Sequence, residues 1–147
     1  MSRRRDRRMM GRALALARLN QGMTGVNPSV GCVILDPDGH IVGEGVTGIG
    51  GRPHAEEIAL DTAGSAADGG TAYVTLEPCR ERSQGGRSCS TRLMDAGIAR
   101  VVCSVLDPHP VANGGILRLR DAGIRVDVGL RRHDAARLYG AFFASIT

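Results

Sequence analysis

The chain predicts an α/β fold, a three-layer α/β/α sandwich around a mixed five-stranded sheet, in a single domain spanning residues 1–147. Three observations carry that expectation. Short strand-like runs alternate with helical segments from residue 71 onward, which calls for parallel strands joined by right-handed crossovers. The phrase Asp95-Ala96-Gly97-Ile98 recurs as Asp121-Ala122-Gly123-Ile124, each ahead of a β-branched run, so two successive helix-to-strand units are expected. An earlier pair of apolar runs flanks Asp36-Pro37-Asp38-Gly39, whose turn chemistry makes an antiparallel hairpin.

The elements follow in order. Met10, Ala13, Leu14 and Ala17 recur at helical spacing, giving an amphipathic helix from about Asp6 to Gln21 that Gly22 ends. Residues 1–8, with five arginines, are expected to be a flexible, solvated basic terminus. The hairpin strands are Ser29 to Leu35, apolar on both faces and therefore central, and Ile41 to Val46. A Gly-rich stretch and Pro53 lead into a helix from His54 to about Ala63. Strands are expected at Thr71 to Leu76, Arg100 to Leu106 and Arg125 to Val128, with a helix over Ser90 to Ala96 stopped by Gly97. A closing helix over about 130–145 rests on Leu138, Phe142 and Phe143.

The 147 residues are 42% hydrophobic and 23% charged, as in an ordinary globular domain, while 3% aromatic content without Trp leaves the core to Ala, Val, Leu and Ile. The start of the chain lacks an export-type apolar region, no run of 18 apolar residues spans a membrane, and the four cysteines sit in unlike contexts. A reduced, cytoplasmic setting is expected. The net charge of +4 suits an anionic ligand.

His54 and Glu56 open one helix, Cys79 follows a strand, and Cys89 lies just before another helix. A catalytic zinc takes three protein ligands and keeps one position open, and one His with two Cys is such a set. Glu56 is then spare, which argues against a closed structural site. Each piece alone has a plainer reading, a capping His-x-Glu or two buried thiols, but their order and placement favour a metal centre. Nine residues separate the two cysteines, so a loop eased by Gly85 and Gly86 must bring Cys89 back. The α-helix opening near Cys89 would set its positive end beside the thiolates and favour them. Cys32 and Cys103 read as core residues, His40 as exposed, and His133 as a solvated or capping residue.

His-Ala-Glu followed by Pro-Cys resembles the signature of zinc-dependent nucleobase deaminases, apart from the longer cysteine spacing. Asn27-Pro28-Ser29-Val30-Gly31, Pro53-His54-Ala55-Glu56, Thr75-Leu76-Glu77-Pro78-Cys79 and Asp107-Pro108-His109-Pro110 narrow that likeness. Over essentially its whole length the chain resembles the deaminase domain of the bifunctional riboflavin-biosynthesis deaminase/reductase, within the cytidine-deaminase-like superfamily. The resemblance implies a zinc-dependent hydrolytic deaminase of a phosphorylated diaminopyrimidinone, releasing ammonia, with His54, Cys79 and Cys89 on zinc and Glu56 moving the proton. It further implies that Asn27 and the backbone at Ala55 hold the ring and that Asp107 and His109 line the sugar side. A homodimer or homotetramer, and a separate reductase as partner, are expected on the same basis.

The chain departs from the family around the substrate tail. Thr47 and Ile49 stand where a His and a basic residue are usual, His109 where Asn is usual, Gly114 where Arg is usual, and the cysteine loop is longer. Arg80, Arg82 and Arg87 could clamp a phosphate in compensation or be solvated loop charges. Competing functions are a deaminase of another cytosine-like or guanine-like base or nucleotide, a nucleic-acid base deaminase, and a non-enzymatic zinc-stabilised partner. The scarcity of aromatic stacking platforms argues against nucleic acid.

Overall fold

A computed structural model describes residues 2–81, 86–108 and 113–146, with residues 145 and 146 described as backbone only. The elements are α1 (Arg3–Leu19), β1 (Gly31–Leu35), β2 (Ile41–Val46), α2 (Ala55–Ala63), β3 (Thr71–Leu76), α3 (Cys89–Asp95), β4 (Arg100–Val105), α4 (Gly115–Asp121), β5 (Arg125–Val128) and α5 (Arg132–Ile146). One sheet runs in the order β2-β1-β3-β4-β5. β1 is antiparallel to both of its neighbours, and β3, β4 and β5 are mutually parallel. The mixed five-stranded α/β architecture expected from sequence is the one observed.

Side-chain alternation splits the core in two. Cys32, Ile34, Ala72, Val74, Val101 and Cys103 face α2, α3 and α4 and meet Ala59, Leu93 and Leu119. Val33, Leu35, Tyr73 and Val102 face the other way, against Met10, Ala13 and Leu14 of α1 and Ala135 and Tyr139 of α5. These two cores make the three layers. The expected contacts of α5 are partly right: Leu138 and Phe143 pack on this core, and Phe142 lies beside Phe143 with ring centroids 5.8 Å apart. Among the described residues of α5, Ala135 and Tyr139 are fully buried, and that expectation omitted both.

The layers approach closely where side chains are small. A Cβ at Gly45 would run into the Ala55 carbonyl, and one at Gly43 into the Ala59 carbonyl, so β2 carries glycine where α2 presses on it. That contact sets the height of the N-terminus of α2 above the sheet, and His54 stands immediately before it.

The basic terminus differs from expectation. α1 begins at Arg3, with Ser2 as N-cap accepting the Arg5 N–H at 3.1 Å. Asp6 is buried, and Arg100 at the start of β4 donates to both of its oxygens at 3.0 and 2.8 Å. The Tyr73 hydroxyl adds a third bond at 2.6 Å. Residues 3–8 are therefore the first turns of a docked helix rather than a flexible segment, because one acid among the arginines finds a partner in the sheet. Burial alone would raise the Asp6 carboxyl, but the bonds from Arg100 and Tyr73 outweigh it and hold the group below its ordinary value.

Candidate metal centre

The C-terminal ends of parallel strands are where open α/β sheets gather their functional groups. β3 and β4 end there with Leu76 opposite Val105, and antiparallel β1 begins at the same edge. This edge therefore collects the approaches to Asn27, Thr47, His54, Cys79 and Asp107.

His54 is the N-cap of α2, one residue outside the helix, and its backbone N–H donates to the Glu57 carboxylate at 2.7 Å. The same carboxylate pairs with Arg92 of α3 at 3.0 Å, tying together the two helix starts. Cys89 is the first residue of α3, capped by Ser88, whose hydroxyl accepts the Thr91 N–H at 3.2 Å. The Cys89 N–H points at the Cys79 sulfur, 3.2 Å away, which puts the start of α3 against a thiolate as the sequence suggested.

One donor atom each from His54, Cys79 and Cys89 lies within 4.8 Å of the others, with His54 Nδ1 3.3 Å from Cys89 Sγ. Zinc bond lengths of about 2.0–2.3 Å in tetrahedral geometry separate neighbouring donors by about 3.5–3.8 Å, so this trio fits one zinc. The Cys89 thiol, burial notwithstanding, together with the His54 ring and the Cys89 N–H, lowers Cys79 to about 4, ready to act as a thiolate ligand. The Cys89 thiol, which donates to it and is itself buried, is pushed up.

Glu56 is 4% exposed and is not one of the three donors. Burial, countered by His54 and reinforced by the nearby Cys79 charge, raises it to about 7 from the protein's own groups. A carboxyl so placed can both accept and return a proton near neutral pH. Cys32 and Cys103 are fully buried, and burial pushes both thiols up, consistent with neutral core side chains.

The expected substrate contacts are more dispersed. The Asn27 side chain donates to the Gly51 carbonyl at 3.1 Å, and the Thr24 hydroxyl closes the turn on the Asn27 carbonyl at 2.6 Å. Ala55 is buried at the first turn of α2, and Asp107 is buried just beyond β4. Arg87 is exposed and paired with Asp95 at 2.7 Å. Arg82 and His109 lie outside the described residues. Arg80 braces the loop, its Nε donating to the Asn113 carbonyl at 3.1 Å while its side chain crosses Gly114, whose φ of 93° suits glycine. Thr47 accepts the Val30 N–H at 2.9 Å and holds the Asn27 segment to β2, whereas Ile49 is 66% exposed.

Sequence reasoning missed two acidic residues. Glu57 stands three residues after an N-cap, a capping-box spacing that could have signalled it. Glu77, 6% exposed, accepts N–H groups 30 or more positions away, and no local pattern announces such a role.

Residues 3–105 match the family of the cytidine and deoxycytidylate deaminase zinc-binding region, and the chain belongs to that family. Within it, the chain is 51% identical over 140 residues to riboflavin biosynthesis protein RibD of Escherichia coli, covering 93% of this chain and 37% of that protein. It is 42% identical over 140 residues to a diaminohydroxyphosphoribosylamino-pyrimidine deaminase of Buchnera aphidicola, covering 95% of this chain and 94% of that one. Among solved structures, RibD of Acinetobacter baumannii superposes with a TM-score of 0.87 at 39% identity, over 97% of this chain and 40% of its own. The chain thus spans about two fifths of the RibD relatives and nearly all of the Buchnera protein. No helix among the described residues is long and apolar enough to cross a membrane.

Proposed function

We propose that the chain is a zinc-dependent hydrolytic deaminase of diaminohydroxyphosphoribosylaminopyrimidine, replacing a ring amine by oxygen from water and releasing ammonia. The observation that carries this reading is Glu56, a buried carboxyl raised to about 7 beside a His/Cys/Cys donor set that does not include it. Zinc held by His54, Cys79 and Cys89 would supply a Lewis acid able to make a water nucleophilic near neutral pH. Glu56 takes the proton of the attacking water and delivers it to the ring nitrogen. It then takes the proton of the newly added hydroxyl and passes it to the amine, which leaves as ammonia as the C=O bond forms and the C–N bond breaks.

The ring is held by Asn27 and the Ala55 backbone, the sugar side is lined by Asp107 and His109, and the phosphate is met by Arg82 and Arg87. The similarity of the chain to the Buchnera deaminase over nearly the full length of both supports this substrate. A homodimer or homotetramer, a separate reductase acting on the product, and a reducing cytoplasmic setting belong to the same reading. All four cysteines being unpaired is in keeping with that setting.

Ammonia release by the zinc-loaded chain tests the substrate. Turnover of diaminohydroxyphosphoribosylaminopyrimidine is expected, with little on cytidine, deoxycytidylate or guanine. The reverse preference would reassign the chain to another base or nucleotide, and inertness toward all of them would leave a non-enzymatic zinc protein.

A further inference from the structure

Glu77 is two residues from Cys79 and is buried, yet it is not part of the metal-binding trio. One carboxylate oxygen accepts the Asp107 N–H at 3.0 Å. The other accepts the Gly114 N–H at 3.0 Å and the Ile116 N–H at 3.1 Å. Its backbone N–H donates to the Val105 carbonyl at 2.9 Å, prolonging the β3–β4 pairing. The connection between β4 and α4 is therefore fastened at both described ends to one side chain. Gly114, the N-cap of α4, offers no side-chain cap, so Glu77 also supplies the acceptor that the start of that helix needs. A Cβ at Gly115 would strike the Pro78 carbonyl, which shows how tightly the start of α4 is drawn onto the Pro78–Cys79 turn.

We infer that Glu77 is a positioning residue: by gathering the amides of Asp107, Gly114 and Ile116 it holds both described ends of the β4–α4 connection against the Cys79 turn and sets the fit of the part of the substrate beyond the ring. The substrate part of this inference rests on the deaminase reading above; the structural part does not. A carboxylate suits the task because it offers two acceptor oxygens and no donor. Glutamine of nearly the same volume must turn its NH₂ toward one of the two groups of amides, setting donor against donor. Aspartate keeps both oxygens but withdraws them by a methylene, so it reaches one group at a time.

The test compares the zinc-loaded full chain with Glu77→Gln and Glu77→Asp. Amide hydrogen exchange at Asp107, Gly114 and Ile116 is expected to quicken by about tenfold or more in Glu77→Gln while amides of β1 and β3 are unmoved, with a smaller effect in Glu77→Asp. Zinc stays at the wild-type ratio. KM for diaminohydroxyphosphoribosylaminopyrimidine rises by about tenfold while kcat changes by less than about threefold. Unchanged exchange at the three amides overturns the inference, as does loss of zinc with kcat, which would make Glu77 a support of the metal, or failure of both variants to fold. Should the wild type not turn over this compound, the substrate reading fails while the exchange measurement still decides the role of Glu77.

Discussion

The strands β3 and β4 carry a buried charged cluster at each end, and the two clusters are built to opposite purposes. At the N-terminal end, Arg100 spans Asp6 and Asp127, donating to Asp127 at 3.0 and 2.8 Å as well as to both oxygens of Asp6. Every charge there has a partner of opposite sign, and the pairing holds Asp6 ionised and raises Arg100. At the C-terminal end, Glu56 is buried, no Arg or Lys among the described residues donates to it, and burial outweighs the nearby His54 to raise it to about 7. A satisfied cluster fastens helix to sheet; a buried carboxyl raised to about 7 beside three metal-type donors is what the proposed proton transfer calls for. Burial of charge alone does not distinguish structure from function, but the balance of partners does.

The contrast can be broken from either end. Cys79→Ser should have the largest effect, weakening zinc binding by more than the roughly 10–100-fold that follows loss of a mere supporting residue. Metal analysis after dialysis would show it, with activity lost in proportion. Gly45→Val comes next, since its side chain would enter the Ala55 carbonyl and lift the helix that follows His54. A loss of about 3 kcal/mol in denaturant unfolding is expected, together with weaker zinc binding.

Asp6→Asn should separate stability from chemistry. It leaves Arg100 with Asp127 alone, and a cost of roughly 2–3 kcal/mol would lower Tm by about 6–10 °C with kcat unchanged. The pH dependence has a definite sign: the folded Asp6 value lies below the unfolded one, so its stabilisation is present above the unfolded value of about 3.9 and is lost as pH falls through the folded one. Tm measured against pH should therefore show a wild-type advantage over Asp6→Asn that shrinks in strongly acidic solution. Arg87→Ala should do least to stability. Its exposed pair with Asp95 contributes about 0–1 kcal/mol, so a marked rise in KM without a change in Tm would sharpen its proposed place on the phosphate.

Much of this arrangement was legible in the sequence where the signal is local. The strands Ile41–Val46, Thr71–Leu76 and Arg125–Val128 have the bounds that their apolar runs and flanking turns imply, and the repeated Asp-Ala-Gly-Ile phrase marked two helix-to-strand units. The metal-type trio was legible because His and Cys at element ends have few other uses in that order. What escaped was long-range. Asp6 meets Arg100 across 94 positions, Glu77 meets Ile116 across 39, and Tyr139 reaches the Ser29 carbonyl across 110. Charge counting made a flexible terminus of a segment whose single acid docks it, since neither charge nor periodicity names a distant partner. The substrate side was the least legible, because loops recognise by shape.

The most direct test of the central claim is zinc content and ammonia release measured side by side for the wild type and Glu56→Gln. One zinc per chain in both proteins is expected, with activity falling by about 10³-fold in the variant, within the range that a proton-transferring group supplies. A variant that holds its zinc and deaminates at the wild-type rate would contradict the assignment of Glu56 and, with it, the distinction drawn between the two ends of the sheet.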